Sequence, residues 1–313
     1  MAAMMVLLLL GTLAGSWFES HVAARDAKRF PMRGQLVDVG GYRLHLYCTG
    51  AGSPTVLLSG GFVDTLEQWK FIQSEIARFS RVCSFDRAGL GWSDAGPMPR
   101  SSGQIVKELH TALVNAGISG PYVLAGHSFG GMDMRVFAGE HPDEVAGVLL
   151  IDSINPDHYR WEPPRGFRSE VRFWFYRYLA PFGITRLLGE CRSGPRPCPE
   201  FVDTWHAMWE ARTLSAHEAL ATSSFGNTPL IVIARDPLYY VRLADKPERP
   251  EWEPQFARGQ MELTLLSHNA SFMVARNTGH QIPRDKPELV VDAVKELVGQ
   301  SRAQSPQHNS RKQ

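Results

Sequence analysis

Tyr122-Val123-Leu124-Ala125-Gly126-His127-Ser128-Phe129-Gly130-Gly131 is the stretch that decides how this chain folds. The apolar run ending at Ala125 reads as a buried strand, and Met132 to Glu140, rich in good helix formers, reads as the helix that follows. Between them stands Gly-x-Ser-x-Gly. Without a Cβ at Gly126 and Gly130, strand and helix can crowd around a residue in a strained conformation, which lifts the Ser128 hydroxyl clear of the sheet. In a chain with 28 glycines the five-letter pattern alone says little. Its position between an apolar strand and a helix is what marks Ser128 as a nucleophile.

Outward from this turn, the chain alternates strands and helices. Residues 35–39 and 42–48 alternate apolar and polar around Gly40-Gly41, as in a two-strand hairpin. Pro54-Thr55-Val56-Leu57-Leu58 and Arg81-Val82-Cys83-Ser84-Phe85 read as strands, with helices near 69–79 and 102–116. Val145 to Ile151 and Pro229 to Ala234 are further apolar strands, and Ser271 to Ala275 is the last. Helices are expected over 256–266 and 287–298. This order predicts a mostly parallel sheet covered on both faces. From about Asn155 to Asn227 the alternation stops. Trp161, Phe167, Phe173, Trp174, Phe175, Tyr176 and Tyr178 are interleaved there with Arg160, Arg165, Arg168, Arg172 and Arg177, as expected of a helical cap that packs and also walls a pocket. A basic, aromatic helical face of this kind can also lie against a membrane surface.

A serine hydroxyl needs a base to take its proton and a carboxylate to hold that base in the right tautomer. His280, in a turn after the last strand and behind Ser128 in the chain, is the expected base; His127 is taken to point away. Two aspartates end strands in the right part of the chain. Asp236 follows the penultimate strand and Asp152 follows the strand after the nucleophile helix. The order Ser…Asp…His with the acid just before the last strand favours Asp236, with Asp152 as the alternative. An oxyanion needs two backbone donors. The expected pair is the N–H of Phe129, next to the nucleophile, and the N–H of Phe62, reached by the bend at Gly60-Gly61.

Lys and Arg number 33 against 32 Asp and Glu, so no polyanion partner is implied and a nucleic-acid role is set aside. No C-x₂-C or H-E-x-x-H spacing offers metal ligands, and no cofactor is called for. Cys191 and Cys198 bracket a loop that a disulfide would staple, and an even count of four cysteines suits an oxidising compartment. Residues 2–18 carry no charge and centre on Met4-Met5-Val6-Leu7-Leu8-Leu9-Leu10, which reads as a signal peptide or a membrane anchor. No Lys or Arg precedes this run, and Arg25, Lys28, Arg29 and Arg33 follow it, which by charge asymmetry would hold the domain on the cytoplasmic side, against the oxidising compartment that the cysteines suit, so the orientation stays open.

Taken together, Gly126-His127-Ser128-Phe129-Gly130-Gly131, Asp86-Arg87-Ala88-Gly89-Leu90-Gly91-Trp92-Ser93 and Gly279-His280 resemble the elbow, post-strand loop and histidine turn of an α/β-hydrolase-fold serine hydrolase, esterase- or lipase-like and capped. The resemblance covers residues 34–300. It implies an α/β-hydrolase fold: an eight-stranded, mostly parallel sheet with helices on both faces, its core made of residues 34–154 and 228–300 with an inserted cap over 155–227. Residues 1–33 are then a signal or anchor plus linker, and 301–313 a disordered tail. It also implies that the second and fourth strands are neighbours, bringing Cys48 near Cys83. Two departures are a Gly60-Gly61 where the family has His-Gly and a short loop after Ala234. Ser128 separates the chain from the dehalogenase and epoxide hydrolase branches, which resemble it but use an aspartate. The expected reaction is hydrolysis of a carboxylic ester or related acyl compound with an apolar part. The cap arginines offer recognition of a substrate carboxylate instead. The competing expectation is a hydrolase-fold ligand-binding or interaction protein with little turnover.

Overall fold

The computed structural model describes residues 1–160, 167–191, 195–239 and 253–304. Eight strands form one sheet: β1 Gln35–Asp38, β2 Arg43–Thr49, β3 Thr55–Ser59, β4 Val82–Asp86, β5 Tyr122–His127, β6 Val145–Ile151, β7 Leu230–Arg235 and β8 Ala270–Ala275. Their spatial order is β1-β2-β4-β3-β5-β6-β7-β8. β2 runs antiparallel to both neighbours and every other pair is parallel. The strand that leads into Ser128, β5, is therefore central, flanked by β3 and β6.

Parallel strands covered on both faces read as unbroken apolar runs, and here each run divides by period two between the faces. Leu57, Leu124, Leu150 and Val232 point into a core shared with α3 (Ser102–Asn115) and α4 (Phe129–Glu140). Leu58, Val123, Leu149 and Ile231 point into a second core shared with α2 (Lys70–Ile76) and the closing helix α10 (Pro287–Gln304). Each fully buried Leu, Ile or Val adds on the order of 2 kcal/mol of transfer free energy.

Between β6 and β7 the chain forms α5 (Phe167–Leu179), α6 (Ile184–Leu187), α7 (Cys198–Glu210) and α8 (Arg212–Ala221). Phe173, Tyr176, Ala180, Cys191, Cys198 and Val202 make a small core of their own. By contrast, α8 belongs to the main layer. Ala216 and Ala219 join the α3/α4 core, Ser215 Oγ accepts from Ser102 N at 3.0 Å, and Glu218 accepts from Ser101 and Gly103 at 2.7 Å. The end of the expected cap is thus a packing layer.

Both cysteine pairs are bridged. Cys48 and Cys83 are register partners on antiparallel β2 and β4, and Cys191 pairs with Cys198. At the C-terminus α10 runs on to Gln304, where Arg302 donates to Ser53 O (2.8 Å) and Phe79 O (2.7 Å), so residues 301–304 of the expected tail are ordered helix. Residues 305–313 lie outside the described residues. The N-terminal segment forms one long helix, α1, over Ala2–Arg29. A last helix, α9, covers Glu253–Glu262 before β8.

Candidate active site

Ser128 sits between β5 and α4 with φ +55° and ψ −120°, a conformation few L-residues adopt. The surrounding glycines make this crossing possible. A Cβ on Gly126 would lie 2.4 Å from Gly130 O, and one on Gly130 would lie 2.3 Å from Ser59 O. Ser128 N donates to Ile151 O at 3.0 Å and Ser128 O accepts from Ile154 N at 3.1 Å, so the turn is tied to the end of β6 as well.

His280 follows β8 and places Nε2 3.0 Å from Ser128 Oγ and Nδ1 2.6 Å from Asp152 Oδ2. The histidine is partly open to solvent, whereas Asp152 is fully buried. Asp152 takes a positive φ of 41° at the end of β6, and its amide donates to Ile233 O at 2.7 Å. Its carboxylate also accepts from Arg235 N (Oδ1, 3.0 Å) and Arg235 Nη1 (Oδ2, 2.9 Å). Burial pushes this carboxyl up. The His280 hydrogen bond and the Arg235 charge outweigh burial and hold it below the ordinary carboxylate range.

The acid preferred from the sequence, Asp236, is not the one that reaches His280. An imidazole has two ring nitrogens, and here Ser128 and Asp152 face them. Asp236 Oδ1 accepts from Leu238 N and Oδ2 from Asn277 N, both at 2.9 Å, while its own amide donates to Thr278 O at 3.0 Å. It stitches the end of β7 to the loop that delivers His280. Chain order alone could not separate the two aspartates, because both end strands before the histidine.

His127 does turn from the serine, but it is not idle. It is buried; Nδ1 accepts from Gln68 Nε2 at 2.7 Å and Nε2 donates to His280 O at 2.9 Å, which fixes one neutral tautomer. Burial and the neighbouring His280 push its pKa down to about 4. Gln68 in turn accepts from Gly61 N at 3.2 Å, so a chain of hydrogen bonds links the Gly60-Gly61 loop to the histidine loop.

Arg87, in the post-strand loop, grips the same glycines. It donates to Gly60 O and Gly61 O, both at 2.7 Å, and pairs with Asp133 at 2.6 Å, with both side chains buried. In a trans peptide the C=O and the next N–H point opposite ways. With Gly61 O held by Arg87, the Phe62 N–H therefore points away from the guanidinium. Phe129 N is the first amide of α4, where no intrahelical acceptor exists. The two aromatic rings meet edge to face at 5.2 Å. Arg87, Gln68 and Arg235 were not singled out from the sequence. Arg87 stood inside a recognised loop, but what a buried arginine holds depends on distant backbone.

A cavity of about 400 Å³ opens beside this site, lined by Val63, Gln68, Phe71, Leu90, Phe201 and Gln281 among others. Val63 follows Phe62 and Gln281 follows His280 in the chain, and the lining also carries Asp64, Glu67, Arg196 and Arg284. Among the described residues, one trio could approach a metal: His110, His141 and Glu144. The two rings are stacked in parallel at 3.8 Å, so their in-plane lone pairs do not converge, and the trio lies at the far end of α4 from Ser128.

The chain matches the family described as alpha/beta hydrolase fold over residues 54–190. It is 31% identical over 180 residues to an uncharacterised protein of Schizosaccharomyces pombe, covering 49% of this chain and 33% of that protein. The chain thus spans about a third of that relative's length. Among solved structures it resembles a thermophilic esterase from Thermogutta terrifontis (TM-score 0.57, 22% identity, 85% of this chain and 98% of that one). An epoxide hydrolase, CorEH, superposes equally well (TM-score 0.57, 18% identity, 85% and 98%). At these identities the likeness is one of fold. By its strand order, its matched family and its structural neighbours, the chain is an α/β-hydrolase-fold protein.

Proposed function

We propose that the protein is a serine hydrolase that cleaves a carboxylic ester or related acyl compound through an acyl-enzyme on Ser128. The observation that carries this reading is the continuous line Ser128 Oγ, His280, Asp152, with contacts of 3.0 and 2.6 Å. In it His280 Nε2 takes the hydroxyl proton as the oxygen attacks the carbonyl carbon. Asp152 holds Nδ1–H and stabilises the imidazolium that forms. The amides of Phe62 and Phe129 receive the oxyanion. His280 then protonates the leaving alcohol, and a water activated by the same imidazole hydrolyses the acyl-enzyme.

The cavity size suits a small organic substrate, and Phe71, Leu90 and Phe201 give it apolar walls. Of the arginines considered for carboxylate recognition, Arg172 pairs with Glu190 and Arg177 with Asp203, while the side chains of Arg160, Arg165 and Arg168 lie outside the described residues. Arg196 and Arg284, which do line the cavity, are paired with Glu200 and Asp285, so the apolar ester reading rests on Phe71, Leu90 and Phe201. Two bridged cysteine pairs support a site of action in an oxidising compartment, reached by export or by an anchored helix.

Incubation with a fluorophosphonate probe tests the reading. Labelling that disappears in Ser128→Ala and in His280→Ala, with hydrolysis of a short p-nitrophenyl ester lost in parallel, is the expected result. A folded protein that neither labels nor turns over ester would instead be a binder built on the hydrolase fold.

A further inference from the structure

The N-terminal helix α1 is two different objects along its length. Every described side chain from Ala2 to Gly11 is exposed, and Met4, Met5, Val6, Leu9, Leu10 and Leu13 are each more than half exposed. These residues surround the helix axis rather than forming one stripe. A helix apolar all round belongs in a large core or in a membrane, and no core reaches this one. A second protein chain would cover one side, whereas hydrocarbon covers every side. From Ala2 to Ala14, before the first residue that packs on the domain, the helix extends roughly 20 Å at 1.5 Å per residue, about two-thirds of the ~30 Å hydrocarbon thickness of a bilayer.

The second half is part of the folded domain. Gly15 packs on the backbone of Phe182, where a Cβ would lie 2.5 Å from the carbonyl oxygen, and Phe18 packs on Gly183. One and two turns on, Glu19 and Ala23 are buried on the same face, followed by Asp26. Glu19 accepts from Arg186 Nε and Nη2, both at 2.8 Å, and from Cys198 N at 2.8 Å. Asp26 accepts from Arg186 Nη1 at 3.2 Å. Arg186 lies in α6 and Cys198 opens α7, so both halves of the insertion hang on these two carboxylates.

We infer that α1 is a retained membrane anchor: its first half enters a phospholipid bilayer, and its second half is built into the helical insertion and sets that insertion at the bilayer surface. A cleavable leader contributes nothing to the mature fold. Here, cutting after Val22-Ala23-Ala24, where the small residues stand, would remove Glu19, leave the buried Cys198 amide without its acceptor and leave the Arg186 guanidinium with Asp26 alone.

The full chain, expressed and purified from membranes in detergent, would be measured by intact mass and by flotation with phosphatidylcholine vesicles. The inference expects residues 15–29 to remain attached and the protein to float. Combined Leu9→Asp, Leu10→Asp and Leu13→Asp should abolish flotation while leaving the thermal midpoint within a degree or two. Glu19→Ala should lower the midpoint by several degrees and still float. A mature protein beginning after Ala24, a silent Glu19→Ala, or a discrete detergent-free oligomer that fails to float because a second copy covers the helix would each overturn it. None of these readouts depends on hydrolysis.

Discussion

Arg235 reaches the Asp152 carboxylate twice, from its backbone N–H at 3.0 Å and from its guanidinium at 2.9 Å, while His280 holds the same oxygen at 2.6 Å. The acid of the proposed triad is thus shared between the base and a fixed cation. That cation is itself bound to buried Glu253 at 3.0 Å and lies over the Phe256 ring. A carboxylate partly neutralised in this way stabilises an imidazolium less than a lone one does.

Removing the cation takes away one of the partners that hold the Asp152 carboxyl down, so in Arg235→Gln the activity on a p-nitrophenyl ester should fall away at higher pH than in the native protein. The same change leaves Glu253 buried without its partner and should cost about 3–5 kcal/mol in urea unfolding. Arg235→Lys should return the acid limb most of the way. An unmoved limb in a folded Arg235→Gln protein would show that the cation does not act on the Asp152 carboxylate.

The two aspartates can be told apart by rate. Asp152→Asn places an amide where the imidazolium needs a negative charge and should lower kcat for a p-nitrophenyl ester by about 10³–10⁴-fold. Asp236→Asn loosens the turn before His280 and should cost less than about tenfold. The reverse ranking would return the acid role to Asp236.

His127 ties stability to pH. Its folded pKa of about 4 lies below the ordinary histidine value near 6.5, because burial and His280 disfavour the charged form. Between these values the unfolded chain binds the proton and the folded one does not. This group's contribution is then intact above about pH 6.5 and falls as pH drops toward 4, by on the order of 3 kcal/mol in all. Urea midpoints at pH 7, 5.5 and 4.5 should decline in step. His127→Gln should flatten that part of the slope, and an equal slope in both proteins would rule His127 out as its source.

The disulfides should differ in weight. Cys48–Cys83 closes a separation of 35 residues and Cys191–Cys198 one of 7, so loop-closure entropy assigns them about 4 and about 2.5 kcal/mol. Replacing each pair by serines and comparing urea unfolding checks the order. A larger loss from the Cys191–Cys198 pair would point to native-state packing rather than chain entropy.

Much of the fold is local in origin. A strand that alternates at period two, a helix that starts at a glycine-flanked serine and a hairpin at Gly40-Gly41 are properties of neighbouring residues, and they placed all eight strands to within a few positions. The Ser128 turn was legible for the same reason, since its strain and its glycines lie within six residues of one another. His280 was legible through chain order. The imidazole's carboxylate partner was not, because Asp152 and Asp236 end adjacent parallel strands, and only the turn the chain makes after each decides which carboxylate swings toward the imidazole.

By itself, then, the amino-acid sequence determined the sheet, the bend at Ser128 and the turn that carries His280, because these depend on short-range sterics and on apolar periodicity. Tertiary structure alone decided three things: Asp152 over Asp236, the grip of Arg87 and Gln68 on the Gly60-Gly61 loop, and the burial of Glu19 and Asp26 against Arg186. Each of these is a contact between groups far apart in the chain. Such contacts are set by how elements pack, which no local pattern encodes.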